Sequence, residues 1–528
     1  MIERGTRDIS HHTQLFVDDH LVERMAGLRR TMHTVDKHPA NPLILPEQPF
    51  ETRYKHHYTW DNGSVIFDPK AEVFRAYWSQ AQKHTSYAES DDGIHWRKPV
   101  LRRVSYAGTN QNNILMEDES CTTVAYNSDN TDYPYFMLSR GRHFLQQSGD
   151  GIEWQDVEGD FQWGRMSDSG ACVYDPFQKR YITIHKARYP IGKTVVNPLT
   201  AEDWDIPIRV LGMSTSQDRV TWSPWREVLR PDESDHRSVA ERYPAVFVEG
   251  FLYPWRMKEE FQAAHDLAER TGFLDRLTVP PQKGFHHMDF MNMIVIPYHN
   301  LYIGLLEVLN STAQVVDFGA GGRPRPDSPG QDGTMEVQLV YSRDLIHWQR
   351  LGERFPFIPL GDLSDWDRSM LMPFTSNHIV RDGKLYLYYG GSFHSHRTNS
   401  FWNKPGDYPK EMQGLGLATL RQDGFVSLDA GQDGGELITW PLSFDGDELR
   451  LNADARGGLA VEVLDVQGAP IPGFELDSCV PLGDDDVAQV VRWRRQNGLG
   501  TLRKQPVRLR FCLRNARLYS FATATSRR

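Results

Sequence analysis

Short runs in which apolar and polar positions alternate fill most of this chain. Phe74-Arg-Ala-Tyr-Trp78, Tyr181-Ile-Thr-Ile-His185, Gln338-Leu-Val-Tyr-Ser342 and Lys384-Leu-Tyr-Leu-Tyr-Tyr389 are examples. Alternation with a period of two places successive side chains on opposite faces of an extended strand. Gly, Asn, Asp and Pro separate the runs, which predicts strands joined by turns. Helical spacing is scarce; Lys258 to Arg270, rich in Glu, Ala and Leu, predicts one helix.

One phrase recurs after such runs. It is Ser90-Asp-Asp-Gly-Ile-His-Trp96, then Ser148-Gly-Asp-Gly-Ile-Glu-Trp154, Ser216-Gln-Asp-Arg-Val-Thr-Trp222 and Ser342-Arg-Asp-Leu-Ile-His-Trp348, with a worn copy at Arg421-Gln-Asp-Gly-Phe-Val-Ser427. A long-period repeat sets the architecture. Asp-Gly supplies a tight turn with Gly at positive φ, and the Trp supplies an apolar plate to pack on the neighbouring unit. A second echo, Trp60-Asp-Asn-Gly-Ser-Val-Ile-Phe-Asp-Pro69 and Ser167-Asp-Ser-Gly-Ala-Cys-Val-Tyr-Asp-Pro176, marks the openings of units.

Four strands per unit, repeated about five times, predict an all-β chain with a five-bladed β-propeller. Six blades is the alternative, because Pro244 to Pro254 reads as a hairpin in the long gap between Trp222 and Trp348. Residues 1–50 are expected as an N-terminal strand segment packing on the propeller, which spans 51–430 with an insertion at about 224–288. From 431 to 528 the phrase is absent, and Leu459-Ala-Val-Glu-Val-Leu464 and Val507-Arg-Leu-Arg-Phe511 predict a separate C-terminal β-sandwich.

Composition narrows the partners. The 528 residues carry a formal net charge of −11 and no basic stripe, which argues against nucleic acid. No apolar run is long enough to span a bilayer, and Met1 to Ser10 lacks the apolar core of a signal peptide. The expectation is a cytoplasmic protein without a membrane partner. Its thiols, Cys121, Cys172, Cys479 and Cys512, are expected to be reduced, and none forms a C-x-x-C pair. A homo-oligomer is left open.

In a propeller, residues at the start of each innermost strand gather at one mouth of the axis. By that rule Asp61, Asn62, His57 and Trp60, then Asp168, then His287 and Asp289, then Asp367 and Arg368, converge there. Loops between second and third strands, Lys186 to Asp205, Asn310 to Gly333 and the stretch with His394 and His396, open on the same face, as does the insertion with Glu241. Several carboxylates within aromatic walls suit glycoside cleavage, with one as nucleophile or base and another, protonated, as acid. Glu307 ends the apolar run Tyr302-Ile-Gly-Leu-Leu-Glu307, and a carboxylate there needs a reason. The histidines could instead serve a metal; without a tight ligand spacing, hydrogen bonding to sugar hydroxyls is the reading adopted, with no cofactor.

Asp61 in Trp60-Asp-Asn-Gly63, the echo at Ser167-Asp-Ser-Gly170, Tyr341 to Trp348 and Asn41-Pro-Leu-Ile-Leu-Pro46 resemble the five-bladed propeller glycosidases of families 32 and 43. The propeller-plus-sandwich layout is similar to family 32. The resemblance implies a glycoside hydrolase taking a terminal, furanose-type residue from a small carbohydrate. It implies Asp61 as nucleophile or base, Asp168 as the carboxylate that orients the sugar, and Glu241 as acid, with Glu307 its rival. The Asn-Asp-Pro-Asn and Arg-Asp-Pro motifs of family 32 are absent. A non-catalytic carbohydrate-binding propeller and a metal-dependent lyase or lactonase are the alternatives.

Overall fold

The computed structural model describes residues 5–52, 62–80, 84–117, 120–140, 145–158, 170–196, 203–242, 286–318, 324–362, 364–375, 377–393, 395–396, 413–496 and 498–526. Five four-stranded antiparallel sheets follow one another along these residues. Sheet I is Gly63–Asp68, Val73–Gln80, His84–Ser90 and Ile114–Glu117; sheet II is Ser120–Tyr126, Tyr135–Arg140, Leu145–Ser148 and Trp154–Asp156. Sheet III is Gly170–Asp175, Arg180–Val196, Asp203–Ser216 and Arg226–Leu229; sheet IV is His287–Tyr298, Leu301–Phe318, Pro324–Ser342 and Trp348–Arg350. Sheet V is Met370–Pro373, Lys384–Ser392 and Gln413–Arg421, closed by Asp36–Lys37 from the start of the chain.

The sheets form a ring. First strands of sheets I and II, II and III, and III and IV pack side by side. Met335 of sheet IV bridges Met370 of sheet V in parallel, and the Val65 N–H of sheet I donates to the Phe374 carbonyl beside sheet V at 2.7 Å. Among the described residues this is a propeller of five sheets. The hairpin at 244–254 and the helix at 258–270 lie outside them.

The recurring phrase is the turn from third to fourth strand, built alike in sheets I to IV. In sheet I the Ser90 hydroxyl accepts the Gly93 N–H at 2.9 Å, and Asp92 Oδ1 accepts the N–H groups of Ile94 and His95, both at 2.8 Å. Trp96 Nε1 donates to the Gly93 carbonyl at 3.2 Å. The same bonds recur around Asp150, Asp218 and Asp344. The residue after each Asp is left-handed, at φ 78° for Gly93, 80° for Gly151, 72° for Arg219 and 69° for Leu345. The indoles pack backwards around the ring: Trp96 on Tyr388 of sheet V, Trp154 on Tyr77 of sheet I, Trp222 on Phe136 of sheet II. Where the partner is a tyrosine it also donates to the turn, Tyr388 to the Gly93 carbonyl at 2.8 Å and Tyr77 to that of Gly151 at 3.0 Å.

The worn fifth copy has another task. Asp423 accepts hydrogen bonds from Tyr298 at the end of the first strand of sheet IV, at 2.7 Å, and from Ser520 of the C-terminal strands, also at 2.7 Å. It pins the propeller to a sandwich of two sheets. One holds Asp485–Val490, Glu448–Asp454, Ala516–Ala524, Val426–Ala430 and Leu28–Met32, with Gln14–Leu15 beside it; the other holds Val22–Ala26, Gly435–Thr439, Arg508–Leu513 and Leu459–Leu464. The N-terminal segment, expected on the propeller, therefore belongs mostly to the sandwich, and Val426–Ala430 enters it ahead of residue 431. Edge strands supplied from the far end of the chain satisfy backbone groups that the C-terminal strands leave unpaired.

Two of the expected loops are also strands. Arg180–Val196 pairs with Asp203–Ser216 as far as Val196 with Asp203, and Leu301–Phe318 pairs with Pro324–Ser342 as far as Phe318 with Pro324. In each pair the ladder runs on from the sheet into a long hairpin, with register shifts on the way. None of the four cysteines forms a disulfide, and no helix among the described residues is long and apolar enough to cross a membrane.

Candidate active site

The parallel bridge between Val65 and Thr375 sets the first strands of sheets I and V running the same way. All five sheets meander alike, so the beginnings of their first strands share one end of the axis. Asn62, directly before sheet I, is buried. His287 and Asp289 open sheet IV, and Asp367 and Arg368 stand just ahead of sheet V. His396 is half-buried, and its N–H donates to the Gly333 carbonyl at 3.1 Å. His57, Trp60, Asp61, Asp168 and His394 lie outside the described residues, although the strands that Asp61 and Asp168 precede begin at Gly63 and Gly170.

Asp289 is fully buried within a charged cluster. Its Oδ1 accepts the Arg209 backbone N–H at 2.8 Å and faces His287 Nε2 at 3.1 Å, while Oδ2 takes the Arg209 guanidinium. Burial alone would raise the pKa of this carboxyl. The Arg209 charge and His287 outweigh burial and hold it well below the ordinary range. A fixed carboxylate of this kind orients its neighbours.

Asp367 is held in the same manner. Its Oδ2 accepts from Lys37 Nζ at 2.6 Å and from the Tyr389 hydroxyl at 2.9 Å. Burial, and then Asp367, push the Tyr389 phenol far above its usual pKa, so it stays a donor. Trp366 stacks on the Tyr389 ring with centroids 5.8 Å apart. Gly391 is needed there, since a Cβ would come within 2.4 Å of the Trp366 ring and 2.7 Å of Asp367. Lys37 arrives on the N-terminal strand that closes sheet V, so closure of the propeller also completes this corner. Arg368 donates to the Phe393 carbonyl at 3.1 Å and lies 3.9 Å over the Phe393 ring, a cation–π contact.

The two rival acids stand in different settings. Glu307 is 4% exposed, on the second strand of sheet IV opposite Asn292 and Val337. Glu241 is exposed, in the last turn of the helix Glu233–Arg242. That helix is firmly seated. Asp232 and Asp235 form a reciprocal N-terminal cap, Asp232 Oδ1 taking the Asp235 N–H and Asp235 Oδ2 the Asp232 N–H, both at 3.0 Å. Buried Asp235 pairs with Arg350 at 2.7 Å and Arg354 at 2.6 Å. Arg242, beside Glu241, pairs with buried Glu336 at 2.7 Å. Glu336 opposes Val308 whereas Glu307 opposes Val337, so these two carboxylates project from opposite faces of sheet IV.

No family model matches this chain, and no curated protein does. Solved structures that superpose on it include an N-acetylgalactosamine deacetylase from F. plautii in complex with blood group B trisaccharide, with 13% identity, covering 74% of this chain and 96% of that one, at a TM-score of 0.40. Others are a thermostable family-43 glycoside hydrolase (9%, 70% and 92%, TM-score 0.37) and the catalytic domain of a Coprinopsis cinerea GH62 alpha-L-arabinofuranosidase (10%, 74% and 97%, TM-score 0.36). Likeness at this level assigns neither an activity nor a residue role to this chain.

Sequence reasoning missed Arg209, His236, Glu336 and Lys37. Two of them carried a signal. Arg209 lies in Ile208-Arg-Val-Leu211 and Glu336 in Met335-Glu-Val337, each a charge inside an apolar strand, the argument that singled out Glu307. Among the described residues no group of three or more His, Cys, Asp and Glu is placed to hold a metal ion.

Proposed function

We propose that the chain is a glycoside hydrolase that removes a terminal glycosyl residue, of furanose type by its resemblance, from a small carbohydrate. Asp61 is the nucleophile or base, Asp168 the carboxylate that orients the sugar, and Glu307 the acid. The observation carrying this reading is the shared end of the axis: the strands that Asp61 and Asp168 precede begin where His287, Asp289, Asp367 and Arg368 gather. Asp289, Asp367 and Glu336 are ion-paired with Arg209, Lys37 and Arg242 respectively, which suits them to holding the site rather than passing protons. A general acid works from a water-poor setting, and that favours buried Glu307 over exposed Glu241. Asn62, His287, Arg368 and His396 are the substrate contacts in this reading, with His57, Trp60 and His394.

The test is turnover of a panel of 4-nitrophenyl furanosides and pyranosides by the wild type and by D61N, D168N, E307Q and E241Q. D61N and E307Q should lose about 100-fold or more in kcat while keeping the wild-type circular dichroism spectrum, with E241Q near wild type. A fully active D61N would refute the mechanism. Sugar binding without product from any substrate would mark a binding propeller instead.

A further inference from the structure

Two imidazoles lie face to face at the start of sheet IV. The rings of His236 and His287 are 4.7 Å apart at 15°. His236 is the fourth residue of the capped helix Glu233–Arg242, beside the buried Asp235. Its Nδ1 accepts the Met288 backbone N–H at 3.1 Å, so in the neutral ring the proton sits on Nε2. Protonation at Nδ1 would break that bond. His287 has its own constraint. Its Nε2 faces Asp289 Oδ1, an atom that also accepts the Arg209 N–H, within a carboxylate paired with the Arg209 guanidinium. An ionised carboxylate only accepts, so His287 Nε2 must be the donor, and in the neutral ring Nδ1 carries a lone pair. Among the described residues His287 Nδ1 has no hydrogen-bond partner.

We infer that His287 reads a hydroxyl of the bound sugar: its Nδ1 accepts a hydrogen bond from one ring hydroxyl, and His236 is a positioning residue that fixes the plane of the ring. This rests on the glycoside reading and sharpens its substrate class. The terminal ring must carry an unsubstituted hydroxyl at that position, because an O-acetyl, O-methyl or fluoro group has no proton to donate. Asp289 selects which nitrogen of His287 carries the proton. The His236 face prevents the ring from turning, and two adjacent imidazolium rings would repel. Charged or titratable side chains on the elements around this strand include Arg209, His185 and Lys186 from sheet III, Asp235 and Arg242 from the helix, and Glu307 from the next strand.

The experiment has two arms. Long-range proton–nitrogen correlation spectra of histidine-labelled protein should show both His287 and His236 with the proton on Nε2. In the kinetic arm, 4-nitrophenyl α-L-arabinofuranoside is compared with its monodeoxyfluoro analogues, one for each ring hydroxyl. One analogue should fall about tenfold or more below the rest in kcat/KM. H287F should close that gap. H236N, whose amide oxygen can still accept from Met288, should keep it, and H236A should narrow it and shift the His287 nitrogen signals. A proton on His287 Nδ1, or a gap that survives H287F, would overturn the inference; unchanged spectra and gap in H236A would remove His236 from it. If no parent glycoside is turned over, the hydrolase reading falls and the reader role with it, while the nitrogen spectra still decide the tautomer.

Discussion

The turn around Gly93 offers a sharp test of how the blades are fastened together. Gly93 has φ 78°, and a Cβ built on it would come 2.3 Å from the Tyr388 hydroxyl and 3.0 Å from the Phe74 ring. G93A therefore meets two penalties. Left-handed backbone costs a residue with a Cβ about 1–2 kcal/mol, and relieving the clash costs about 1–3 kcal/mol more. Y388F alone removes the 2.8 Å hydrogen bond to the Gly93 carbonyl, worth about 1–2 kcal/mol. The two are coupled, because the atom lost in Y388F is the one that obstructs the new Cβ. G93A/Y388F should cost at least about 1 kcal/mol less than the sum of the single changes. A chain of two domains need not unfold in one step, so the readout is local. Hydrogen exchange at Gly93, Ile94 and His95, whose N–H groups bond to Ser90 and Asp92, reports opening of this turn. Additive effects, or a G93A turn that exchanges at the wild-type rate, would refute the account of the turn as clamped from the neighbouring blade.

Three further outcomes follow from the same structure. R219G places glycine in the third copy of that seat, at φ 72°; release of about 1 kcal/mol of strain is set against loss of the guanidinium 5.9 Å over Tyr181, so its exchange should change little, whereas L345G, which empties a buried position, should open its turn by about 2–4 kcal/mol. K37M leaves Asp367 buried without its cation and should cost about 1–3 kcal/mol, reduced in K37M/D367N; the check is thermal unfolding of both variants beside the wild type. Burial lowers the His185 pKa to about 4. The unfolded chain then binds the extra proton between its ordinary value near 6.5 and about 4, so stability is full above that window and falls as pH drops through it, by at most about 3 kcal/mol. H185Q should flatten this part of the acid limb in a pH series of urea midpoints, and an unchanged slope would exclude His185 as its source.

The sequence by itself determined the features whose partners are close in the chain. Each Ser-x-Asp-x-x-x-Trp turn closes within seven residues, so its bonds could be read from spacing, and alternation sufficed for the strands. Inner-strand starts follow from counting those units, and His287, Asp289, Asp367 and Arg368 stand at or just before such starts. Their electrostatic roles were not legible. Asp289 meets Arg209 from 80 residues away and Asp367 meets Lys37 from 330, and no local pattern records a partner at such a distance. Only the tertiary structure decided that the N-terminal segment is divided between the sandwich and the last sheet of the propeller. Backbone pairing asks for an edge and a strand of the right length, and many strands of this chain would satisfy that; which one does is settled when the ring closes and the buried charges find their counterparts.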